Sequence, residues 1–110
     1  MLKTFLLACL TLSTAAAAAD DPLPRFDVAA LCDAAAGALG NSTFARTACI
    51  EQEQQTYDGL RSRWPTLPPE VRATCQKIAA WTGSGSYIVL GGCVDVELEA
   101  RSRPSPSFKY

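Results

Sequence analysis

The sequence contains no histidine, and its single methionine is Met1. Imidazole and thioether groups are common protein ligands of transition metals and haem, and histidine is the usual proton carrier near neutral pH. No two of the five cysteines form a Cys-x-x-Cys pair, which is the common arrangement in zinc and dithiol redox sites. The sequence therefore predicts no metal, no cofactor and no Cys–His or Ser–His–Asp catalysis.

An excess of charge is also missing, because ten Lys and Arg residues against eleven Asp and Glu residues give a formal net charge of -1. A nearly neutral chain has no positive field to attract nucleic acid or an anionic membrane surface. No apolar run reaches the ~20 residues that are needed to cross a bilayer. We therefore expect no nucleic-acid partner and no membrane span.

The first 19 residues have the pattern of a secretory signal peptide. Lys3 provides a positive start, residues 5–12 are mostly apolar, and residues 15–19 are alanines that fit a cleavage site. Cys9 leaves one alternative open, a lipoprotein cleavage box that would attach the chain to a membrane. The pattern predicts a protein of the periplasm or the exterior, where cysteines pair in an oxidising compartment.

Removal of the signal leaves about 90 residues, a size at which one small core usually needs cross-links. Residues 20–25 contain two prolines and predict an extended leader. Residues 102–110 are rich in proline and serine without an acid, and they predict a disordered tail. The part between them, residues 26–101, predicts one four-cysteine helical domain.

Three helices are indicated by their ends. The alanine-rich segment 26–38 predicts the first, because Gly40 and Asn41 follow it. Ser42 is a suitable N-cap for a second helix, which Pro65 would end. A third helix opens at the proline pair 68–69 and continues to about residue 82.

The fourth segment, residues 87–101, fits either a helix or a β-hairpin that turns at Gly91 and Gly92. An internal repeat favours the helix. Residues 49–53 and 93–97 share the order Cys, β-branched aliphatic, acid, any residue, Glu, and each follows another cysteine by 17 or 18 residues. The repeat predicts two helical hairpins that bury their faces together. We therefore expect an all-α fold with about four short helices.

Helical rise selects among the three pairings that four cysteines allow. The cysteines beyond the signal are Cys32, Cys49, Cys75 and Cys93. The first two are equidistant from the turn at Gly40, and the last two from Ser84, so each pair lies level about 12 Å from its turn. Pairing the middle two would leave them about 13 Å out of register. The sequence predicts disulfides Cys32–Cys49 and Cys75–Cys93, with Gly91 and Gly92 marking close helix approach.

Two carboxylates at equivalent places in the repeat, Glu53 and Glu97, are the candidates for a carboxylate-based hydrolase. A structural role is the stronger interpretation, because Arg101 follows Glu97 by four residues, as on a solvated helix face. Residues 83–86 resemble a phosphate-binding loop but fit a turn better. We therefore predict that the chain is not an enzyme and has no catalytic residue.

Three side chains on one side of the second helix, Tyr57, Arg61 and Trp64, form a candidate protein-binding surface. Aromatic residues with a neighbouring arginine are typical of interface hot spots. In a small domain, large aromatics also serve simply as core residues, and that alternative remains open for Trp64 and Trp81. The partner predicted from this pattern is another envelope protein.

The chain resembles small periplasmic helical proteins of alphaproteobacteria over most of its mature length. The residues that carry the resemblance are Cys49, Ile50, Glu51, Gln52, Glu53, Tyr57, Asp58, Trp64, Arg72, Cys75, Ser86, Tyr87, Leu90 and Cys93. The resemblance implies an exported, disulfide-bonded, all-helical protein, and it implies no catalytic activity.

The second helix is also similar to the LprI-like lysozyme-inhibitor domain. The matching positions are Cys49, Glu53, Asp58, Leu60 and Trp64, although Arg61 stands where that domain has Asn. Together these features predict a small exported, non-enzymatic binding or accessory protein of the cell envelope. Inhibition of a lysozyme-type cell-wall hydrolase is the alternative that this similarity implies.

Overall fold

The computed structural model describes residues 22–81 and 83–110, so the predicted signal peptide lies outside the described residues. The helices are α1 (Val28–Ala38), α2 (Thr43–Arg63), α3 (Pro69–Ala80) and α4 (Tyr87–Arg101), with a single 3-10 turn at Trp64–Thr66 after α2. No strand occurs among the described residues. The predicted all-α fold is confirmed, and the hairpin alternative for residues 87–101 is wrong.

Three of the helices begin at an acid or hydroxyl N-cap. Asp27, Ser42 and Ser86 each accept a hydrogen bond from the backbone N–H three residues later, at 3.1, 3.1 and 3.3 Å. These contacts satisfy N–H groups that have no partner within the helix. Because Asp27 is the cap, α1 begins two residues later than the sequence pattern indicated, whereas the predicted cap at Ser42 is confirmed.

The helices form two disulfide-bonded hairpins, α1 with α2 and α3 with α4. Cys32 is bonded to Cys49 and Cys75 to Cys93, with Cα–Cα distances of 5.6 and 5.5 Å. The turn between α1 and α2 uses Gly40 and Asn41, which both have positive φ angles of 71° and 61°. Both predicted disulfides are confirmed.

The two hairpins join through α2 and α4, which run parallel. A glutamate of α2, Glu53, contacts the first residue of α4, and Arg63 lies 2.9 Å from Asp95 further along both helices. Between these contacts, a Cβ built on Gly91 would lie 2.9 Å from the Thr56 methyl. Gly91 therefore marks close helix approach, as predicted. Gly92 does not, because a Cβ there would meet nothing within 4 Å.

The core lies between α2, α3 and α4. Its buried members are Leu60, Trp64, Leu67, Val71, Cys75, Ala79, Tyr87, Leu90 and Val94. By contrast, α1 buries only Cys32 and Ala36 and packs mainly against α2. The first disulfide therefore cross-links the hairpin that has the least apolar packing.

The repeat is visible in the geometry as well as in the sequence. Ser42 and Ser86 both cap the second helix of a hairpin, and each lies seven residues before a disulfide-bonded cysteine. Glu53 and Glu97 follow those cysteines by four residues. Each hairpin thus carries the same order of cap serine, bonded cysteine and glutamate.

The segments on either side of the helices differ from each other. Leu23, in the predicted leader, is partly buried against the core. Residues 104–110 are exposed and have no helix or strand. Among the described residues, no helix combines the length and apolar character that a membrane crossing would require.

Candidate binding site

Glu53 is a buried carboxylate that caps the start of α4. Its side chain is 2 % exposed. One carboxylate oxygen accepts a hydrogen bond from the Ser86 hydroxyl at 2.5 Å, and the other accepts one from the Tyr87 backbone N–H at 2.6 Å. A negative group is stabilised there because the N-terminus of a helix carries a partial positive charge.

This cap changes the interpretation of the glycine-serine turn before α4. The predicted alternative, an anion site at residues 83–86, requires free N–H groups at the helix start. Glu53 already accepts the Tyr87 N–H, and Ser86 caps Val89. An internal carboxylate therefore occupies the position that an external phosphate would need, and the turn interpretation is the one that fits.

Tyr87 connects α4 to the segment that precedes α1. We call residues 22–27 the N-terminal strap. The Tyr87 hydroxyl donates to the Pro24 carbonyl at 2.8 Å and accepts from the Phe26 N–H at 2.9 Å. Its ring lies 4.9 Å from the Phe26 ring and 4.8 Å from the Tyr57 ring, between centroids. One buried side chain thus holds the strap by two hydrogen bonds and a ring contact.

Gly85 is the second part of this contact. It has a φ of 83°, in the left-handed region that glycine adopts without strain. A Cβ built on it would lie 2.3 Å from Cδ1 of Phe26, so the ring rests directly on the glycine backbone. We call Gly85 and Tyr87 together the strap seat.

A groove of about 520 Å³ lies between the strap and α2. Its lining residues are Leu23, Pro24, Arg25, Phe26, Val28, Ile50, Gln54, Tyr57 and Tyr87. This volume falls within the range of pockets that bind small molecules, roughly 300–1,000 Å³. Seven of the nine lining residues are apolar or aromatic, and Arg25, Gln54 and the strap backbone add polar groups.

One face of α2 provides part of this lining and extends beyond it to Arg61. Ile50, Gln54, Tyr57 and Arg61 are separated by four, three and four residues, so they lie on one face, which we call the α2 face. The Arg61 guanidinium carbon lies 5.8 Å from the centre of the Tyr57 ring. This is the geometry of a cation–π contact.

The predicted surface of Tyr57, Arg61 and Trp64 is only partly brought together. Tyr57 is half-buried and Arg61 is exposed. Trp64 was wrongly placed on that surface, because it is 2 % exposed and belongs to the core.

Arg72, on α3, is likewise 2 % exposed, although arginine is rarely buried.

The two glutamates considered for hydrolysis are not brought together either. Glu53 contacts the first residue of α4, and Glu97 lies ten residues further along that helix. At 1.5 Å per residue the axial separation is about 15 Å, which is longer than the ~10 Å that separates paired catalytic carboxylates. The expected partner of Glu97 also differs, because Arg101 lies 3.6 Å from Glu70 on α3.

No sequence pattern points to the contact between Tyr87 and the strap. A tyrosine after a serine at a helix start is compatible with many environments, and the two hydrogen bonds of Tyr87 join residues more than 60 positions apart. Trp81, for which the sequence left a core position and an exposed position open, is 90 % exposed at the end of α3. Only Gly85 has a local signal in the sequence, because a glycine in a glycine-serine stretch readily adopts a positive φ angle.

Within the described residues, no group of three or more Cys, Asp or Glu side chains is arranged to hold a metal ion. Comparisons with protein families, curated proteins and solved structures find no match. Most of the residues that carry the LprI-like similarity have roles in holding this fold together. Cys49 is bonded to Cys32, Glu53 caps α4, and Leu60 and Trp64 are buried. That similarity stays a prediction.

Proposed function

We propose that this chain is an exported, non-enzymatic binding module of the cell envelope, and that it contacts another envelope protein through the α2 face. The observation that carries the proposal is the groove beside α2. Ile50, Gln54 and Tyr57 line it, and Arg61 stacks on Tyr57 at its end. A rigid aromatic ring with an adjacent guanidinium is the combination that interfaces favour.

Export is supported by the cysteines and by the beginning of the sequence. Two disulfides link the helices, and such bonds persist in oxidising compartments outside the cytosol. Residues 1–19 carry the positive, apolar and small-residue regions of a signal peptide. The two features together support a periplasmic or secreted location.

The charges around the α2 face make the proposed contact selective. Glu51 and Asp58 are exposed beside it on α2, and Arg61 lies at its end. An aromatic centre bordered by charges of both signs fits a partner segment with an apolar anchor between complementary charges. It does not fit a purely electrostatic partner such as nucleic acid.

Site-specific photo-crosslinking in intact cells tests this proposal. A photoreactive residue in place of the exposed Gln54 should give an adduct with one envelope protein. The same residue in place of Lys77, which is exposed on α3, is the control and should not give that adduct. Equal adducts from both positions, or none from position 54, would contradict a specific contact at the α2 face.

The identified partner then allows a quantitative test with purified proteins. Arg61→Glu should weaken binding by about tenfold or more, because it removes the cation–π contact and places an acid beside the groove. Lys77→Glu makes the same change of charge elsewhere and should leave the affinity within about twofold. Equal loss in both variants would indicate a general charge effect.

A further inference from the structure

Two segments of the chain share the pattern Pro-x-Pro-x-Phe. Residues 22–26 read Pro-Leu-Pro-Arg-Phe, and residues 104–108 read Pro-Ser-Pro-Ser-Phe. The first segment lies in the strap and is docked on the strap seat. The second is fully exposed, with Phe108 82 % exposed and in contact with Tyr110, 5.0 Å away between ring centres. One motif is therefore docked and the other is free.

The docked contacts use atoms that both segments possess. Tyr87 bonds the carbonyl of the second proline and the N–H of the phenylalanine, and the phenylalanine ring rests on Gly85. On the side of the segment, the two hydrogen bonds use only backbone atoms, and the third contact uses the phenylalanine ring that both segments have. The clear difference is Leu23, which packs against the core and corresponds to Ser105. The second segment can thus repeat the contacts with the seat but not the leucine packing.

The second segment is too short to reach the seat of its own molecule. The N–H groups of Ser102 and Arg103 still bond carbonyls of α4, so the chain has not left the helix end there. Residues 104–108 span at most about 18 Å when fully extended. The far end of α4, at Arg101, lies about 21 Å from Tyr87. Contact with the seat therefore requires a second molecule.

We propose that the strap seat of Gly85 and Tyr87 accepts the Pro-x-Pro-x-Phe segment 104–108 of a second copy of this chain, which exchanges with the strap. Proline-rich segments bind aromatic-lined grooves at a low entropy cost, because their extended form is already populated. The strap has the advantage of being attached to the domain that it binds. Exchange is therefore limited while the strap is intact and increases when the strap is weakened. This inference does not depend on any partner at the α2 face.

A labelled peptide of residues 102–110 provides the first test, with fluorescence anisotropy against the chain from residue 20 to 110. Phe26→Ala weakens the strap and should bind the peptide at least about tenfold more tightly than the wild-type protein. A control peptide with Phe108→Ala should bind Phe26→Ala at least about tenfold more weakly than the native peptide. Equal binding of the two peptides, or no binding by Phe26→Ala near ~1 mM peptide, would overturn the proposal.

A second test keeps the wild-type strap, in case Phe26→Ala does not fold. Phe108 is replaced by the photoreactive p-benzoyl-phenylalanine, and the irradiated protein is separated by size and digested. We expect a covalent dimer whose cross-links map to residues 83–88 or to Tyr57 beside the seat. Cross-links mapping elsewhere, or the absence of dimer at concentrations where the free peptide binds, would refute exchange between copies. A cross-link within one molecule would contradict the reach argument.

Discussion

Replacement of Glu53 by alanine should be the most destabilising polar substitution on α2. The side chain is 2 % exposed and accepts hydrogen bonds from the Ser86 hydroxyl and the Tyr87 N–H. Hydrogen bonds to charged groups stabilise by about 1.5–3 kcal/mol each, and their loss here leaves buried donors without an acceptor. Two bonds at the lower end of that range give a loss of about 3 kcal/mol in the free energy of unfolding.

Urea unfolding with both disulfides intact measures this loss. For a small domain with a slope near 1 kcal/mol/M, the unfolding midpoint should fall by about 3 M. Glu53→Gln keeps the volume and one acceptor, so we expect about half of that effect. Glu51→Ala, at an exposed position of the same helix, should change the stability by no more than about 0.5 kcal/mol. If Glu53→Ala shifts the midpoint no more than Glu51→Ala does, the cap contributes nothing.

Three further tests concern the helix contacts, the strap and the first disulfide. Gly91→Ala should lower the free energy of unfolding by about 1–3 kcal/mol, because the new methyl would lie 2.9 Å from a methyl of α2. Gly92→Ala meets open space and should raise it by about 0.5–1 kcal/mol. Equal urea midpoints for the two variants would contradict this. Tyr87→Phe removes both strap hydrogen bonds, so proteolysis in the strap should become several-fold faster with the helix content unchanged, and unaltered cleavage would show that the ring contact suffices. Replacement of Cys32 and Cys49 by alanine should remove about 3 kcal/mol and increase amide exchange in α1 before α4; uniform acceleration would mean that α1 is not the least stable part.

The features that the sequence predicts well are those with a local cause. Ser42 caps α2 because a hydroxyl before a helix can accept an N–H of the first turn. The two disulfides follow from helical rise and from turns at the midpoints of the cysteine pairs. The repeat then decides between helix and hairpin for residues 87–101, where local propensity alone leaves both open.

The features that could not be predicted depend on which side of a helix faces the neighbouring hairpin. Arg61, in the last turn of α2, and Trp64, in the 3-10 turn that follows it, are three residues apart, yet Trp64 is buried and Arg61 is exposed. Their spacing does not contain this difference, because it is set by which side chains enter the core shared with α3 and α4. The partners of Glu53, at residues 86 and 87, are 33 and 34 positions away, so no pattern near residue 53 indicates them.

The asymmetry between the two equivalent glutamates limits how many hairpins this architecture can stack. Glu53 begins the junction to the second hairpin, and α2 then continues for ten more residues, past Leu60 in the core. After Glu97, α4 continues for only four residues, and the position equivalent to Leu60 is Pro104, which a helix interior does not tolerate.

A tandem array would need a longer α4 to receive a third unit, since each added hairpin docks on the preceding second helix. The early end of α4 therefore leaves no helix surface after Glu97 on which a further hairpin could dock in the way that the second docks on α2. Extending α4 by about two turns, with an apolar residue at position 104, is the change through which an array of three or more hairpins could be built from this unit.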